Sequence, residues 1–302
     1  MDLVIEASKL PVMGETIIGN GFIATQGGKG ANQAVAIGRL GGEVSMLGYV
    51  GDDAFGKQLK LNLTNNNVNA TMIKTISGVS SGVAVITIVD GNNCIIVDAG
   101  ANGLVSPELV QAHEKEIKSC SMIVMQMEIP FESVMKAISL AKLHNVKVLL
   151  NPAPARYLPD DLLKMVDIIT PNETECESIT GIKINSIEDA KTAVQYLLKK
   201  GVSQVLITMG DKGVVYNNKD RLLHQLPPKA TVVDTTAAGD SFTAAIALKL
   251  TEGDDIEDAV KFASQVGALT VSKKGAQSSL PTLAEVDGAL IVSGKLHTHI
   301  EP

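Results

Sequence analysis

Two hydrophobic patterns divide the 302-residue chain. Up to about residue 98, short β-branched runs broken by Gly or Asn alternate with a helix or two. ETIIGNGFIAT (15–25), GVAVITIVD (82–90) and NCIIVD (93–98) are such runs. The last two flank DGNN, a hairpin signal, so the early strands predict a small sheet of their own. From about residue 99 the pattern becomes a regular alternation of strand and helix. SMIVMQM (121–127) reads as a buried strand; after it Phe131, Val134, Met135 and Ile138 recur at helical spacing through 131–144. Strands VKVLLN (146–151), VDIITPN (166–172) and SQVLIT (203–208) follow, with a helix over 186–200. Helices over roughly 239–252, 255–272 and 282–291 close the chain. Strands separated by helices of this length pack as a parallel sheet with right-handed crossovers, so the fold class is α/β.

Composition sharpens this picture. Hydrophobic residues make up 45% and aromatics only 3%, with no tryptophan, so the core is aliphatic and suits a buried parallel sheet. A net charge of −7 excludes a nucleic-acid partner, which needs a basic face. Cys94, Cys120 and Cys176 have no close spacing and read as reduced thiols in a cytoplasmic protein, not as a disulfide framework or zinc ribbon. The opening MDLVIEASKL lacks the basic start of a secretory signal, and no run of about 18 apolar residues could span a membrane.

Ligands of open α/β sheets bind beyond the carboxyl ends of the strands. That rule selects Glu128, Asn151, Asn172, Glu175, Thr208 and Gly210 before any motif does. In DTTAAGDSFTAA (234–245), Asp240 follows Gly239 where a helix begins. The small residues Ala237, Ala238 and Gly239 leave backbone N–H groups open to a transferring phosphoryl group, and Asp240 could accept a hydroxyl proton. The alternative is that Asp240 simply caps the helix. QGGKGANQAVAIGRLGG (26–42) sets Gly27, Gly28 and Gly30 before a helix of small residues. It is neither a Walker A loop nor a dinucleotide fingerprint, which fails at Gln33. Asn32 could bind a polyol hydroxyl there, or the stretch is a tight turn packed on the sheet. In PNETE (171–175), Asn172 and Glu175 share a helical face and suit a hydrated Mg²⁺ beside phosphates, or form a helix cap with first-turn acids. TMGDKG (208–213) reads as a strand–turn–strand hairpin that could also cradle a nucleotide. GVSSG (78–82) lacks the helix a nucleophile elbow needs and reads as a turn, and His297 and His299 belong to a solvated tail.

Together these motifs resemble the ribokinase branch of the PfkB sugar kinase family. The resemblance covers nearly the whole chain: both signatures, 27–51 and 234–245, with AGAN (99–102), NPAPAR (151–156), DIITPNETE (167–175) and KKGAQSS (273–279). It implies a three-layer α/β/α sandwich in one domain over 1–302, with a mostly parallel sheet. A small β-sheet lid, from about 3–25 and 79–98, would close over sugar and pair two subunits as a homodimer. The implied reaction is ATP-dependent phosphorylation of the D-ribose 5-hydroxyl, with another sugar or a nucleoside as the nearest alternative. Asp240 then matches the base and Ala237 to Gly239 the anion hole. Asp2, Gly28, Lys29, Gly30, Ala31, Asn32 and Glu128 match the sugar pocket. Asn172, Thr208, Met209, Gly210, Asp211, Lys212, Gly213 and Gly239 match the ATP site, with Ser264 near the adenine. Glu175 matches support of Mg²⁺ through water. Asp234, Thr236, Thr270, Lys273, Gly275 and Ser279 match a K⁺ site.

One departure carries an expectation. Family members open with a strand ending in Asn-x-Asp, whereas this sequence opens at Met1-Asp2. Either the true start lies upstream or this is a truncated form. The expectation is a main sheet missing a strand, a hydrophobic gap, a mobile Asp2, reduced stability and weak sugar affinity, with an inactive sugar-binding form as the alternative.

Overall fold

The computed structural model describes residues 1–292. β1 (Asp2–Glu6) leads through a loop to β2 (Asn20–Thr25), so the run predicted over 15–25 is strand only in its second half. The ladder breaks where the register slips between Val4 and Glu6. There Gly19 lies so close that a side chain on it would sit 2.9 Å from the Glu6 carbonyl. α1 (Lys29–Arg39) follows, and then β3 (Val44–Ser45), β4 (Gly48–Gly51), α2 (Ala54–Asn65), β5 (Val68–Asn69) and β6 (Ile73–Ile76). These strands form two separate parallel pairs, β3 with β5 and β4 with β6. Ser81 is fully buried, and its hydroxyl donates to Asp53 and accepts from the Gly51 N–H; Ser80, the central serine of GVSSG, is exposed in the loop that leads to a strand, not to a helix. β7 (Val83–Val89) and β8 (Asn92–Asp98) are the hairpin expected around DGNN. They complete a four-stranded sheet of order β2-β1-β7-β8.

The regular half follows α3 (Pro107–Ala112) and α4 (Glu114–Ser119). It runs β9 (Met122–Met125), α5 (Phe131–Leu143), β10 (Lys147–Leu150), α6 (Asp160–Leu163) and β11 (Ile168–Ile169). Then come α7 (Glu173–Thr180), α8 (Ile187–Lys199), β12 (Gln204–Thr208), β13 (Val214–Asn218) and β14 (Arg221–Gln225). The six strands order as β14-β13-β12-β11-β10-β9, parallel from β9 to β12 with an antiparallel hairpin at the other edge. β11 stops early because Pro171 has no N–H to offer the ladder. α9 (Ala238–Glu252), α10 (Ile256–Val271) and α11 (Leu283–Val292) end the described chain.

Side chains alternate across a strand, and that period builds the layers. Val148, Leu150, Ile169, Val205 and Ile207 face a core made with α5, α7 and α8. Leu149, Ile168, Leu206 and Val214 face a second core made with α1, α9 and α10. The result is a three-layer α/β/α sandwich.

The main sheet stops at β9. Among the described residues β9 pairs only with β10, β3 only with β5, and β4 only with β6. A cleft of about 1730 Å³ separates them. Every residue from Ser121 to Gln126 and from Glu43 to Val50 lines it, so these strands present edges to the cleft and not one face. Ile37, Ala247 and Leu248 form one wall, and Val110, Ile117 and Ala137 the other. This is the apolar gap anticipated beside the sheet.

Candidate active site

α9 carries the central acid. Its N-cap residue, Ala237, adopts a left-handed φ of 61°, and no side chain caps the helix. That conformation costs an alanine about 1–2 kcal/mol. A side chain on Gly239 would meet no atom within 4 Å, so the backbone there fronts open space. Asp240 lies inside the first turn, so it is not the cap, and the capping alternative is set aside. Its side chain is buried. Oδ2 accepts from Asn32 Nδ2 at 2.8 Å and Oδ1 from Gln33 Nε2 at 3.0 Å. Burial pushes the carboxyl up, while Lys29 and the two amide donors pull it down.

A second group of charges faces Asp240 across the cleft, which Asp2, Gly28, Lys29, Gly30, Ala31, Asn32 and Glu128 all line. Asp2 is not on a loose end. It pairs with Thr25 and Ala84, and the Met1 ammonium donates to the Gly82 carbonyl at 2.8 Å. A side chain on Gly27 would lie 2.1 Å from the Asp2 carboxylate, which would have to swing away from its present place. The Lys29 N–H donates to Glu128 Oε2 at 2.8 Å. Burial pushes Asp2 and Glu128 up, and Asp240 raises both further; the Met1 ammonium and Lys29 oppose this at Asp2, as do the Lys29 N–H and Lys29 charge at Glu128. Asn32 Oδ1 is buried with no hydrogen-bond partner, an acceptor left for a ligand hydroxyl. Three carboxylates around one lysine suit a polyhydroxylated ligand, whose hydroxyls both donate and accept.

Behind Asp240 runs a chain of amides. Gln33 also donates to Asn151 Oδ1 at 3.2 Å, Asn151 donates to the Thr170 carbonyl at 2.9 Å, and Gln126 donates to Gln33 Oε1. Asn151 was legible as a strand end. Gln33 and Gln126 were not selected by the sequence, although each borders an apolar run, AVAI after one and SMIVM before the other.

The residues expected on the nucleotide side gather at the neighbouring strand ends. Asn172 caps α7 in a reciprocal box with Glu175: Asn172 Oδ1 accepts from the Glu175 N–H at 2.8 Å, and Glu175 Oε2 from the Asn172 N–H at 2.9 Å. A bridge joins Asn172 to Thr208. Burial pushes Glu175 up; its hydrogen bond and Lys29 oppose this, and Asp240 adds to it. TMGDKG is the expected hairpin, with a tight turn over Gly210–Lys212 and the Met209 N–H donating to the Gly213 carbonyl at 2.7 Å. The Met209 side chain is buried, so only its backbone serves the loop, while Asp211 and Lys212 are exposed. Ser264 sits buried in α10 and does not line the cleft.

Asp234 ties two loops together. Oδ1 accepts from the Thr236 N–H at 2.9 Å and hydroxyl at 2.6 Å, and Oδ2 accepts from the Gly275 N–H at 2.8 Å. Burial pushes Asp234 up, but these donors and Lys274 outweigh it and hold the carboxyl below its usual value. The Thr270 carbonyl accepts from the Lys273 N–H at 3.2 Å. The Ser279 hydroxyl is turned away to the Ala276 carbonyl at 2.7 Å. Among the described residues no group of three His, Cys, Asp or Glu side chains could hold a metal, and His297 and His299 lie outside them. No described helix is long and apolar enough to cross a membrane.

An open helix N-terminus stabilises phosphoryl charge, and a buried carboxylate in the same turn can take a hydroxyl proton. Fold and site are those of a phosphotransferase with an alcohol acceptor. The pfkB family carbohydrate kinase pattern matches residues 1–283, and the chain belongs to that family. It is 42% identical over 301 residues to a ribokinase of Schizosaccharomyces pombe, covering 95% of this chain and 94% of that one. A deoxyribokinase of Salmonella typhi is 37% identical over 287 residues, covering 94% of each. The structure of Arabidopsis thaliana ribokinase complexed with ribose and ATP matches with a TM-score of 0.90 at 34% identity, covering 96% of this chain and 95% of that one.

Proposed function

We propose that this protein is a ribokinase, transferring the γ-phosphoryl group of ATP to the 5-hydroxyl of D-ribose. One observation carries the reading: a buried aspartate in the first turn of an uncapped helix, with both oxygens held by amide donors. Asp240 takes the hydroxyl proton as the 5-oxygen attacks phosphorus. The N–H groups at Ala237–Gly239 hold the charge on the transferring group, which needs positioning more than covalent help. Asp2, Lys29, Asn32 and Glu128 hold the sugar hydroxyls.

Asn172, Glu175 and the turn at 208–213 hold the nucleotide. A buried carboxylate whose charged form is disfavoured gains from a nearby cation, so Glu175 fits Mg²⁺ held through water, which would neutralise phosphate charge. Asp234, already ionised and linking 234–236 to Gly275, fits an activating K⁺ with the carbonyls of Thr236, Thr270, Lys273 and Gly275. The Ser279 hydroxyl points elsewhere and would have to turn. Ser264 at the adenine is the least supported assignment, resting on the family resemblance alone.

We place the enzyme in the cytoplasm as one domain, its three cysteines unpaired. The β2-β1-β7-β8 sheet acts as a lid and homodimer face, which fits the exposed Phe22, Ile95, Ile96 and Val97 on it.

The test is ADP release with ATP, Mg²⁺, K⁺ and D-ribose, beside Asp240→Asn. Turnover should require ribose, fall when K⁺ is left out, and drop by about 10²–10⁴-fold in the variant. A panel including 2-deoxy-D-ribose addresses the second reading, favoured by the likeness to a deoxyribokinase. Ribose-independent turnover, or an Asp240→Asn enzyme as fast as the parent, would overturn the assignment.

A further inference from the structure

Asp240 is held from two sides that differ in kind. Asn32 has a spare buried acceptor facing the cleft, so it belongs with the ligand. Gln33 is 1% exposed and its amide is satisfied at both ends by protein. The direction of the Gln33 amide is fixed from a distance. The Thr170 carbonyl can only accept, so Asn151 must turn its NH₂ toward Thr170 and its oxygen toward Gln33. Gln33 must then present its NH₂ to that oxygen, and the same NH₂ reaches Asp240 Oδ1. Its oxygen is left for the Gln126 amide. The polarity of the whole chain is rooted in a backbone carbonyl that cannot flip.

We propose that Gln33 is a positioning residue for the phosphoryl transfer: through the Thr170–Asn151–Gln33 chain it fixes the Asp240 carboxylate in one orientation and favours its ionised form. This deepens the kinase reading and rests on it. A neutral donor on a buried carboxylate favours the charged state, and a base must be unprotonated to accept the hydroxyl proton. A purely structural glutamine would support packing without setting the proton affinity of Asp240.

Gln33→Leu keeps the bulk and removes the donor. Two readouts test it. The first is the Asp240 titration by ¹³C carboxylate NMR, with its resonance identified by loss in Asp240→Asn. Loss of the donor should raise the Asp240 pKa. The second is steady-state kinetics with ribose and ATP: kcat should fall about tenfold or more, the ribose KM should change less than about threefold, and the acid limb of the pH profile should move to higher pH. Asn151→Leu removes one of the partners that orient the Gln33 amide, leaving Gln126 and Asp240, and should shift both readouts in the same direction by less. It also serves should Gln33→Leu fail to fold. An unmoved Asp240 titration in whichever variant folds would overturn the proposal. The titration needs no turnover. A wild-type protein without ribose-dependent ADP release would therefore sink the kinase reading and leave the positioning result to stand on its own.

Discussion

The half of the molecule built on β9 to β14 and the half built on β1 to β8 use the same aliphatic residues to different ends. Val148, Leu149, Leu150, Val205, Leu206 and Ile207 are all 0% exposed. Ile95, Ile96 and Val97 of β8 are just as apolar but 49%, 69% and 69% exposed. The difference lies in what covers the strands. Helices lie on both faces of the six-stranded sheet, whereas no residue of the four-stranded sheet joins either core, and along β8 both faces are exposed. The active site lies on the seam. The proposed base, the helix N-terminus and Lys29, at the start of α1, belong to the packed half, and Asp2 of β1 to the open one. A packed carboxylate facing a sheet with no helix cover suits an enzyme that must exclude water when substrate arrives.

The widest contrast comes from paired truncations. Leu149→Ala opens a cavity in the core shared with α1, α9 and α10 and should cost about 2–5 kcal/mol in urea unfolding. Ile96→Ala removes exposed surface and should stay within about 0.5 kcal/mol for the monomeric chain. Equal losses would mean that the small sheet depends on close packing as much as the large one does. If Ile96 is covered by a second copy, its cost will grow with protein concentration.

The cleft between β9 and the β3 and β4 edges offers the next test. Two strand edges face each other across it, its walls are apolar on both sides, and the buried Met1 ammonium sits against it with a pKa lowered by burial. An extended apolar segment of about six residues joined ahead of Met1 would pair with these edges and replace that ammonium by an amide. The melting temperature should rise by about 5 °C or more, with a lower apparent KM for ribose as Asp2 is braced from both sides. No gain in either would show that the two edges close on each other unaided.

Legibility followed the same divide. The packed half was readable because periods of 2 and 3.6 residues follow directly from two-sided burial, as in VKVLLN and 131–144. Its edges were less so: VDIITPN gives only Ile168–Ile169 as strand, since Pro171 and the Asn172 cap take over. Residues 15–19 carry strand-like composition but no partner in register. In the site, Asp240, Asn32 and Glu128 stood out because carboxylates and amides at strand or helix ends are few, while Lys29 came only with the family resemblance. The capping box of Asn172 and Glu175 bears out the cap reading, and the buried carboxylate it leaves is compatible with the proposed Mg²⁺ role. Gln33 stayed hidden because its partners, Asn151 and Asp240, lie 118 and 207 residues away, a juxtaposition only the fold creates.

The smallest predicted effect separates function from stability at the seam. Protein around Glu128 raises its pKa above the ordinary value of 4.5, and Asp240 and Asp2 add to that shift. A carboxyl whose folded pKa is raised holds its proton better in the folded state, so stability is lost as pH rises from the unfolded value through the folded one. Glu128→Gln has no such loss and can still accept the Lys29 N–H. Its melting temperature should therefore match the parent below pH 4.5 and exceed it at neutral pH, by a margin kept small because Glu128 opens onto the cleft. The ribose KM should rise at the same time, because a carboxylate acceptor has become a weaker neutral one. A melting difference that is constant across the pH range would mean that packing, and not charge, distinguishes the two side chains. A stability gain joined to a loss of sugar affinity would show that the acidic cluster is held against the preference of the fold for the sake of its ligand.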